Sequence, residues 1–367
     1  MSEGCAGAMD PITLLHVFPT FAVGGVPVRI IDVANRLGQG FRHHCISLDG
    51  RDGAIQNAWS ETDFQMIPPD AQGGPAGVAR LMRRLGADLL CTYNFGSMDW
   101  ALMGGMVRGV AHLHFESGFG PEEAYKTLPR RNLYRRVALL RTKALVVPAQ
   151  NLVRIARRGG WISSGRIRLI PNGVDCDWYI PHSSPTDGPP VLTVVAPLRR
   201  EKRLDRLLDM LAKASCRGHL QVRICGDGPE RPALEAQTER LGLTGTVRFL
   251  GHFKDVRDAF AGADLFAMTS ETEQMPNALL QAMASGLAVV ALDAGDVKII
   301  LPDAQRAHVH AQDDVAGFIA SLDRLAQDRA LARTMGQTNR DRAVSVYGMD
   351  KMIAAYRALY REAAERP

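Results

Sequence analysis

Short apolar runs and longer amphipathic stretches alternate along this chain in two successive rounds. In the first round ITLLHVFP (12–19), HHCISLD (43–49), ADLLCTYN (87–94), GVAHLHFE (109–116) and ALVVPA (144–149) read as strands, and GGVPVRIIDVANRLG (24–38) as a loop and helix. In the second round the strands are VLTVVAP (191–197), LQVRICG (220–226), TVRFLG (246–251), DLFAMTS (264–270) and AVVALD (288–293), separated by helical segments. Apolar strands alternating with helices predict parallel sheets covered by helices on both faces. A chain of 367 residues is long for one core. The two rounds therefore predict two doubly wound α/β domains in tandem, with the main cleft between them. The Pro/Ser-dense stretch PHSSPTDGPP (181–190) is the expected linker, between a first domain over 1–180 and a second that begins at 191.

Composition narrows the class without naming it. Apolar content of 46% and charged content of 23% are ordinary for a globular protein. The sequence has no run of about 18 apolar residues, so it indicates no spanning helix. The opening MSEGCAGAMDPITLLHVF lacks a basic start and a cleavage site, and reads as a tail leading into the first strand. Cys5, Cys45, Cys91, Cys176, Cys216 and Cys225 are scattered with no C-x-x-C pair. That is the usage of reduced cysteines in a cytoplasmic protein, not of a disulfide framework or a zinc site.

Net charge is +5, and it is unevenly spread: residues 124–174 hold twelve Lys/Arg and no Asp or Glu, leaving 32 basic against 39 acidic residues elsewhere. Within this block, in PRRNLYRRVALLRTK (129–143), Leu133, Val137 and Leu140 share one helical face, the expected core stripe, with Arg131, Arg135 and Arg136 off it. One reading is a solvated helix over the core. The other is a surface for an anionic partner, formed by Arg130, Arg131, Arg135 and Arg136. For that partner a membrane phospholipid or lipid-linked phosphate is favoured over nucleic acid, because no helix-turn-helix, zinc-finger, RRM or KH signature is present.

The segment Ser270–Gly286, SETEQMPNALLQAMASG, carries the densest chemical signal. It reads as a strand end, a loop with Glu271 and Glu273, and a helix with Pro276 at its first position and Gly286 just past its end. Unpaired N–H groups at such a helix start favour an anion, with Glu273 before that spot and Gln281 on the helix one turn after Asn277. An ordinary loop–helix junction with surface acids has the same pattern. Three other strand ends carry candidates. Gly24 and Gly25 before Pro27 permit close backbone approach of a ligand or simply a tight turn. His112, His114 and Glu116 alternate onto one side of an extended chain. His114 there is placed to bond a substrate hydroxyl or to be a structural histidine, and metal binding has little support. Leu198-Arg199-Arg200-Glu201-Lys202-Arg203 is a solvated basic loop or a diphosphate clamp. All four fall where ligands of such sheets bind, and together they describe a diphosphate-sugar site.

At these residues the chain resembles a family 4 glycosyltransferase of the GT-B fold. The matching pieces are FPTFAVGGVPVRIIDVANRL, HLHFESGFG, IPNGVD, LRREKRLDRLLDML, ICGDGPERPALE, VRFLGH and SETEQMPNALLQAMASGLAVVALD, spread over nearly the whole chain. HLHFESG is similar to bacterial exopolysaccharide-type sugar transferases that carry H-G-E-H-G. The resemblance implies two Rossmann-like domains with an interdomain cleft: an acceptor-side domain, a nucleotide-sugar domain over 191–346, and a C-terminal helix over 347–367 that returns to the first domain. It implies a retaining, metal-independent hexosyltransferase that needs no cofactor. The expected donor is a UDP-, GDP- or ADP-sugar, and the acceptor a lipid-linked or polysaccharide glycan at the cytoplasmic membrane face. By the same resemblance His114 and Glu273 are the catalytic contacts to the sugar. Gly24, Gly25, Arg199, Arg200, Lys202, Asn277, Ala278, Leu279 and Gln281 surround the donor.

Four positions depart from the family pattern. The second acid of E-x7-E is Gln281, whose amide offers one acceptor oxygen where a carboxylate offers two. Ala196 and Pro197 replace the usual Gly-Arg, with Arg199 or Arg200 available as substitute cations. Gln274 follows Glu273 where the family has Gly. A non-catalytic GT-B protein that binds a nucleotide, glycan or assembly partner is the alternative these departures keep open, with a nucleotide-sugar epimerase third.

Overall fold

The computed structural model describes residues 10–68, 71, 73–123, 126–181, 188–253 and 255–365. The expected N-terminal tail and residues 182–187 of the expected linker lie outside the described residues. The chain divides into two compact units, Met1–Pro171 with Met352–Pro367, and Asn172–Lys351.

The first unit holds a seven-stranded sheet in the order β3-β2-β1-β4-β5-β6-β7. Its strands are β1 (Ile12–Phe18), β2 (Phe41–Ser47), β3 (Phe64–Met66), β4 (Leu89–Tyr93), β5 (Ala111–Phe115), β6 (Ala144–Val147) and β7 (Ile167–Leu169). Helices α1 (Gly25–Leu37), α2 (Val78–Leu85), α3 (Met98–Gly104), α4 (Pro129–Ala138) and α5 (Gln150–Gly159) connect them. Every pairing is parallel.

The second unit holds a six-stranded sheet in the order β10-β9-β8-β11-β12-β13. Its strands are β8 (Val191–Val195), β9 (Gln221–Cys225), β10 (Val247–Gly251), β11 (Leu265–Met268), β12 (Ala288–Leu292) and β13 (Val309–His310). They also pair in parallel. The helices are α6 (Leu204–Lys213), α7 (Arg231–Arg240), α8 (Asn277–Ala284), α9 (Val297–Ile300), α10 (Val315–Gln327) and α11 (Arg329–Tyr347). On α6, Leu204, Leu207, Leu208 and Leu211 are buried, the i, i+3, i+4, i+7 stripe that the sequence presents to this sheet.

The last helix, α12 (Met349–Ala364), contributes residues from Met352 onward to the first unit. Tyr356 stacks on Phe115 at 5.9 Å, and Arg357 donates to the Arg36 carbonyl at 3.1 Å. Lys143 Nζ donates to the Glu362 carbonyl at 2.7 Å, satisfying a carbonyl that the helix end leaves free. The return of the C-terminal helix to the first domain is thus observed as aromatic packing and end-capping.

The five described cysteines are unpaired. Among the described residues no helix is long and apolar enough to cross a membrane, and no group of three His, Cys, Asp or Glu could hold a metal ion.

Candidate active site

In a doubly wound sheet, ligands lie beyond the carboxyl ends of the strands where the strand order reverses. In the second unit that point falls between β8 and β11. The loop after β8 carries Arg199, Arg200 and Lys202, and the loop after β11 carries Glu271 and Glu273. The two loops are tied by the Glu271 N–H on the Glu201 carbonyl (2.9 Å) and by the Thr269 hydroxyl on the Lys202 and Arg203 carbonyls (3.2 and 3.1 Å). Across this tie Lys202 Nζ meets Glu273 Oε1 at 2.5 Å, with side chains only 19% and 13% exposed. Arg203, held at φ +49°, pairs with Asp205, and Arg206 reaches Glu271 at 3.6 Å and the Gln312 carbonyl at 3.1 Å. Arg199 and Arg200 are exposed, as is Pro197.

Helix α8 begins at Asn277, one position later than the sequence suggested, with Pro276 as its N-cap residue (φ −71°, ψ 116°). No side chain caps it. The Leu279 N–H turns back to the Pro276 carbonyl at 3.2 Å, so it is not the free donor expected. The N–H groups of Asn277 and Ala278 precede any possible intrahelical acceptor and remain to serve an anion. The Asn277 side chain accepts from Asn172 at 2.8 Å, and Asn172 also donates to the Met275 carbonyl at 3.2 Å. The motif IPNGVD thus contributes a brace for this helix start. Gln281 donates to the Tyr179 hydroxyl at 2.9 Å. Tyr179 sits in a segment held by Arg340, which donates to the Tyr179 and Cys176 carbonyls at 2.8 and 3.2 Å. The sequence identified Gln281 but not Tyr179, which lies 102 residues away.

Gly295 supports Glu273 from behind. Its φ is +59°, and a Cβ there would lie 2.0 Å from the Glu273 carbonyl oxygen. Gly295→Ala is expected to lose about 1–3 kcal/mol of stability through left-handed strain and the clash. It should also weaken binding of a sugar nucleotide by displacing Glu273; thermal melts and sugar-nucleotide titration of the variant check both effects.

In the first unit the sheet reverses between β1 and β4. Gly96, after β4, lies so close to Pro19, after β1, that a Cβ would approach it to 2.8 Å. Asn94 holds φ +52° and accepts from the Ser117 N–H at 3.0 Å. Arg29 of α1 donates to the Ser117 hydroxyl at 2.7 Å. Gly24 is the N-cap residue of α1 with an extended backbone (φ −175°), and a Cβ there would meet nothing nearer than 3.8 Å. Gly25 is the first residue of that helix.

Glu116 and Ser117 follow β5, and His114, the fourth of its five residues and next to the strand's last, has no exposed surface. Its Nδ1 lies 2.7 Å from the Thr92 hydroxyl, which is also 2.8 Å from His112 Nε2. His112 Nδ1 continues to Thr142 at 2.9 Å. On the other side His114 Nε2 stands 4.0 Å from the Glu116 carboxylate. Burial, reinforced by charged or like neighbours, pushes His112 and His114 down to about 3. Burial pushes Glu116 up to about 8 against the opposing pull of Arg135. On β1 and β2, burial likewise lowers His16 well below its ordinary value and His43 to about 3.

A histidine whose folded pKa is depressed stabilises the fold above its unfolded value, and that stability is lost as pH falls. The first unit is therefore expected to lose stability as pH drops from about 6.5 toward 3, visible as a falling melting temperature. Glu116 acts with the opposite sign, its contribution fading as pH rises from about 4.5 to 8.

The largest departure from expectation is α4. Arg135, expected at the surface, is fully buried. It donates to both oxygens of Glu123 at 3.0 and 2.7 Å, and its guanidinium lies 4.5–5.5 Å from the ring centres of Phe95, Phe119 and Trp161. Arg131 pairs with Glu122 and Glu123, and Arg136 donates to the Gly159 carbonyl at 2.7 Å. Leu133, Val137 and Leu140 are instead exposed, at 62%, 44% and 66%. A buried, doubly bonded and ring-enclosed Arg–Glu pair fixes the helix rotation, and the apolar stripe turns outward with Arg130, Arg136 and Arg141 beside it.

Comparison with known proteins supplies the family. A model described as Glycosyltransferase Family 4 matches residues 23–178, and one described as Glycosyl transferases group 1 matches residues 189–328. N-acetyl-alpha-D-glucosaminyl L-malate synthase of Bacillus anthracis is 25% identical over 46% of this chain and 45% of its own length. The lipopolysaccharide core biosynthesis glycosyltransferase LpsE of Rhizobium meliloti is 26% identical over 47% of this chain and 50% of its own. The chain thus spans about half the length of these curated relatives. Its fold is shared with Anabaena Alr3699/HepE, solved in complex with UDP, at a TM-score of 0.79 and 18% identity over 96% of this chain and all of that one. With one matched domain followed directly by the other, the chain is built from a Glycosyltransferase Family 4 domain and a Glycosyl transferases group 1 domain on the GT-B fold.

Proposed function

We propose that the chain is a retaining hexosyltransferase that moves a sugar from a nucleotide-sugar donor to a lipid-linked or polysaccharide acceptor in cell-surface glycan synthesis. The observation that carries this reading is the Lys202–Glu273 pair at the reversal point of the second sheet, beside the uncapped start of α8. Lys202, assisted by Arg199 or Arg200 and by the Asn277 and Ala278 N–H groups, takes the diphosphate without a metal. Glu273 accepts from hydroxyls of the sugar. The bond from the anomeric carbon to the phosphate oxygen breaks and the acceptor oxygen bonds that carbon from the same face. The acceptor proton passes to the departing phosphate. Gly24 and Gly25 lie on the acceptor-side unit. The curated relatives act in sugar transfer and lipopolysaccharide synthesis by name, and a structural neighbour binds UDP, which supports the donor class.

A second reading, a GT-B protein that binds without turnover, is favoured by one observation. Gln281, where the family pattern has an acid, spends its amide N–H on Tyr179. Incubating the protein with UDP-, GDP- and ADP-sugars, with and without lipid acceptor extract, separates the two. Release of nucleoside diphosphate supports transfer, and tight binding with no release supports the second reading.

The acceptor reading includes an anionic membrane surface as partner, and α4 changes which residues meet it. Three outward apolar side chains flanked by Arg130, Arg136 and Arg141 suit the interface of an anionic bilayer. The chain is expected to sediment with anionic vesicles, and Leu133→Asp with Leu140→Asp to weaken that at least tenfold, at about 1–2 kcal/mol per leucine withdrawn. Undiminished binding of the double variant would remove α4 from the membrane.

A further inference from the structure

Lys202 and Glu273 are held opposite each other by main chain that has little freedom. Besides the ties between their loops, the Asp296 N–H donates to the Gln274 carbonyl at 3.3 Å, and Gly295 packs against the Glu273 carbonyl. The mobile part is the four-carbon stem of Lys202. Neighbouring cations have other acids: Arg203 has Asp205 and Glu271, and Arg206 has Glu271. A diphosphate that takes Lys202 therefore breaks one particular ion pair and leaves one particular carboxylate, Glu273, without its cation in a site mostly closed to water.

We infer, on the reading of the second unit as a nucleotide-sugar site, that Glu273 makes the crevice favour the sugar-bearing nucleotide over the spent nucleoside diphosphate by competing for Lys202. The two ligands differ in what they return to that carboxylate. A nucleotide sugar brings hydroxyl donors that replace the lost ammonium, and its diphosphate is esterified at both ends. A free nucleoside diphosphate brings no sugar hydroxyl to that carboxylate and carries one more negative charge close to it. Like charges at such short range in a partly desolvated site oppose binding. Once the sugar has left, Lys202 returns to Glu273 and the product is expelled. The same pair thus serves both selection of the donor and release of the product.

Calorimetric titration of the full chain with UDP, GDP and ADP, each beside its glucose or mannose ester, tests this. For the nucleotide that binds, Glu273→Gln is expected to tighten the free diphosphate about five- to tenfold and to weaken the sugar ester, reversing the wild-type preference. Glu271→Gln removes an acid from the same loop that does not pair with Lys202, and is expected to stay within about twofold of wild type. Lys202→Ala is expected to weaken both ligands. Unchanged or weaker diphosphate binding by Glu273→Gln overturns the inference, as does equal tightening in both glutamine variants, which would be a bulk charge effect. Wild-type affinity in Lys202→Ala overturns it while leaving the nucleotide-sugar reading standing. Failure of the wild type to bind any of these nucleotides overturns that reading itself.

Discussion

Glu273→Ala is expected to lower turnover by about a hundredfold or more while the protein stays folded. Glu273 is the acid that the crevice presents at the reversal point of the second sheet, where its side chain pairs with Lys202. A carboxylate that grips a sugar hydroxyl contributes most as positive charge develops at the anomeric carbon. Loss of one such preorganised group typically costs two to three orders of magnitude in rate. Lys202→Ala should fall by a similar factor, because the departing diphosphate loses its principal cation. Steady-state rates at saturating donor, with melting temperatures of the variants, check both. Rates near wild type in a folded Glu273→Ala protein would remove this residue from the reaction.

His114→Ala is the second large effect, and it should be read in stability before it is read in rate. The ring is fully buried and shares the Thr92 hydroxyl with His112. Truncation leaves a cavity and an incompletely bonded threonine, worth about 2–4 kcal/mol. For a unit of this size that is roughly 5–15 °C in melting temperature. His114→Asn, whose amide can replace the Nδ1 bond to Thr92, is expected to recover much of the loss. The family resemblance implies a direct contact of His114 with the transferred sugar, and its full burial makes a loss of stability the first effect to expect. A variant with wild-type melting temperature and no turnover would support the direct contact.

The sequence carried the architecture where periodicity was strong. Ten of the strands are apolar runs of four to seven residues, and all ten were legible, as was the leucine stripe of α6. The strands it missed, β3, β7 and β13, are edge strands of three residues or fewer. They are too short to show an alternation, and only their neighbour defines them. The crevice of the second unit was legible because Lys202 and Glu273 sit in loops next to unmistakable strands. Tyr179 and Gly295 were not, since each acts on the site from a distant stretch of chain. The misreading of α4 has the same origin. Two stripes of that helix are compatible with burial, and Arg135 defeats the apolar one because Glu123 and three aromatic rings solvate its charge better than an apolar core could. None of those partners is recognisable from the helix itself. His114 does lie next to the end of β5, but the strand pattern carries no sign that its ring is enclosed by Thr92 and its neighbours.

A nucleotide sugar bound across Lys202 and Glu273 is the central requirement of the proposed reaction. A crystal structure of the protein with the donor that it turns over should place the diphosphate against Lys202 Nζ and the Asn277 and Ala278 N–H groups. A sugar hydroxyl should lie on Glu273, with the Lys202–Glu273 pair broken. A bound donor lying elsewhere, or one that leaves that pair intact, would contradict it.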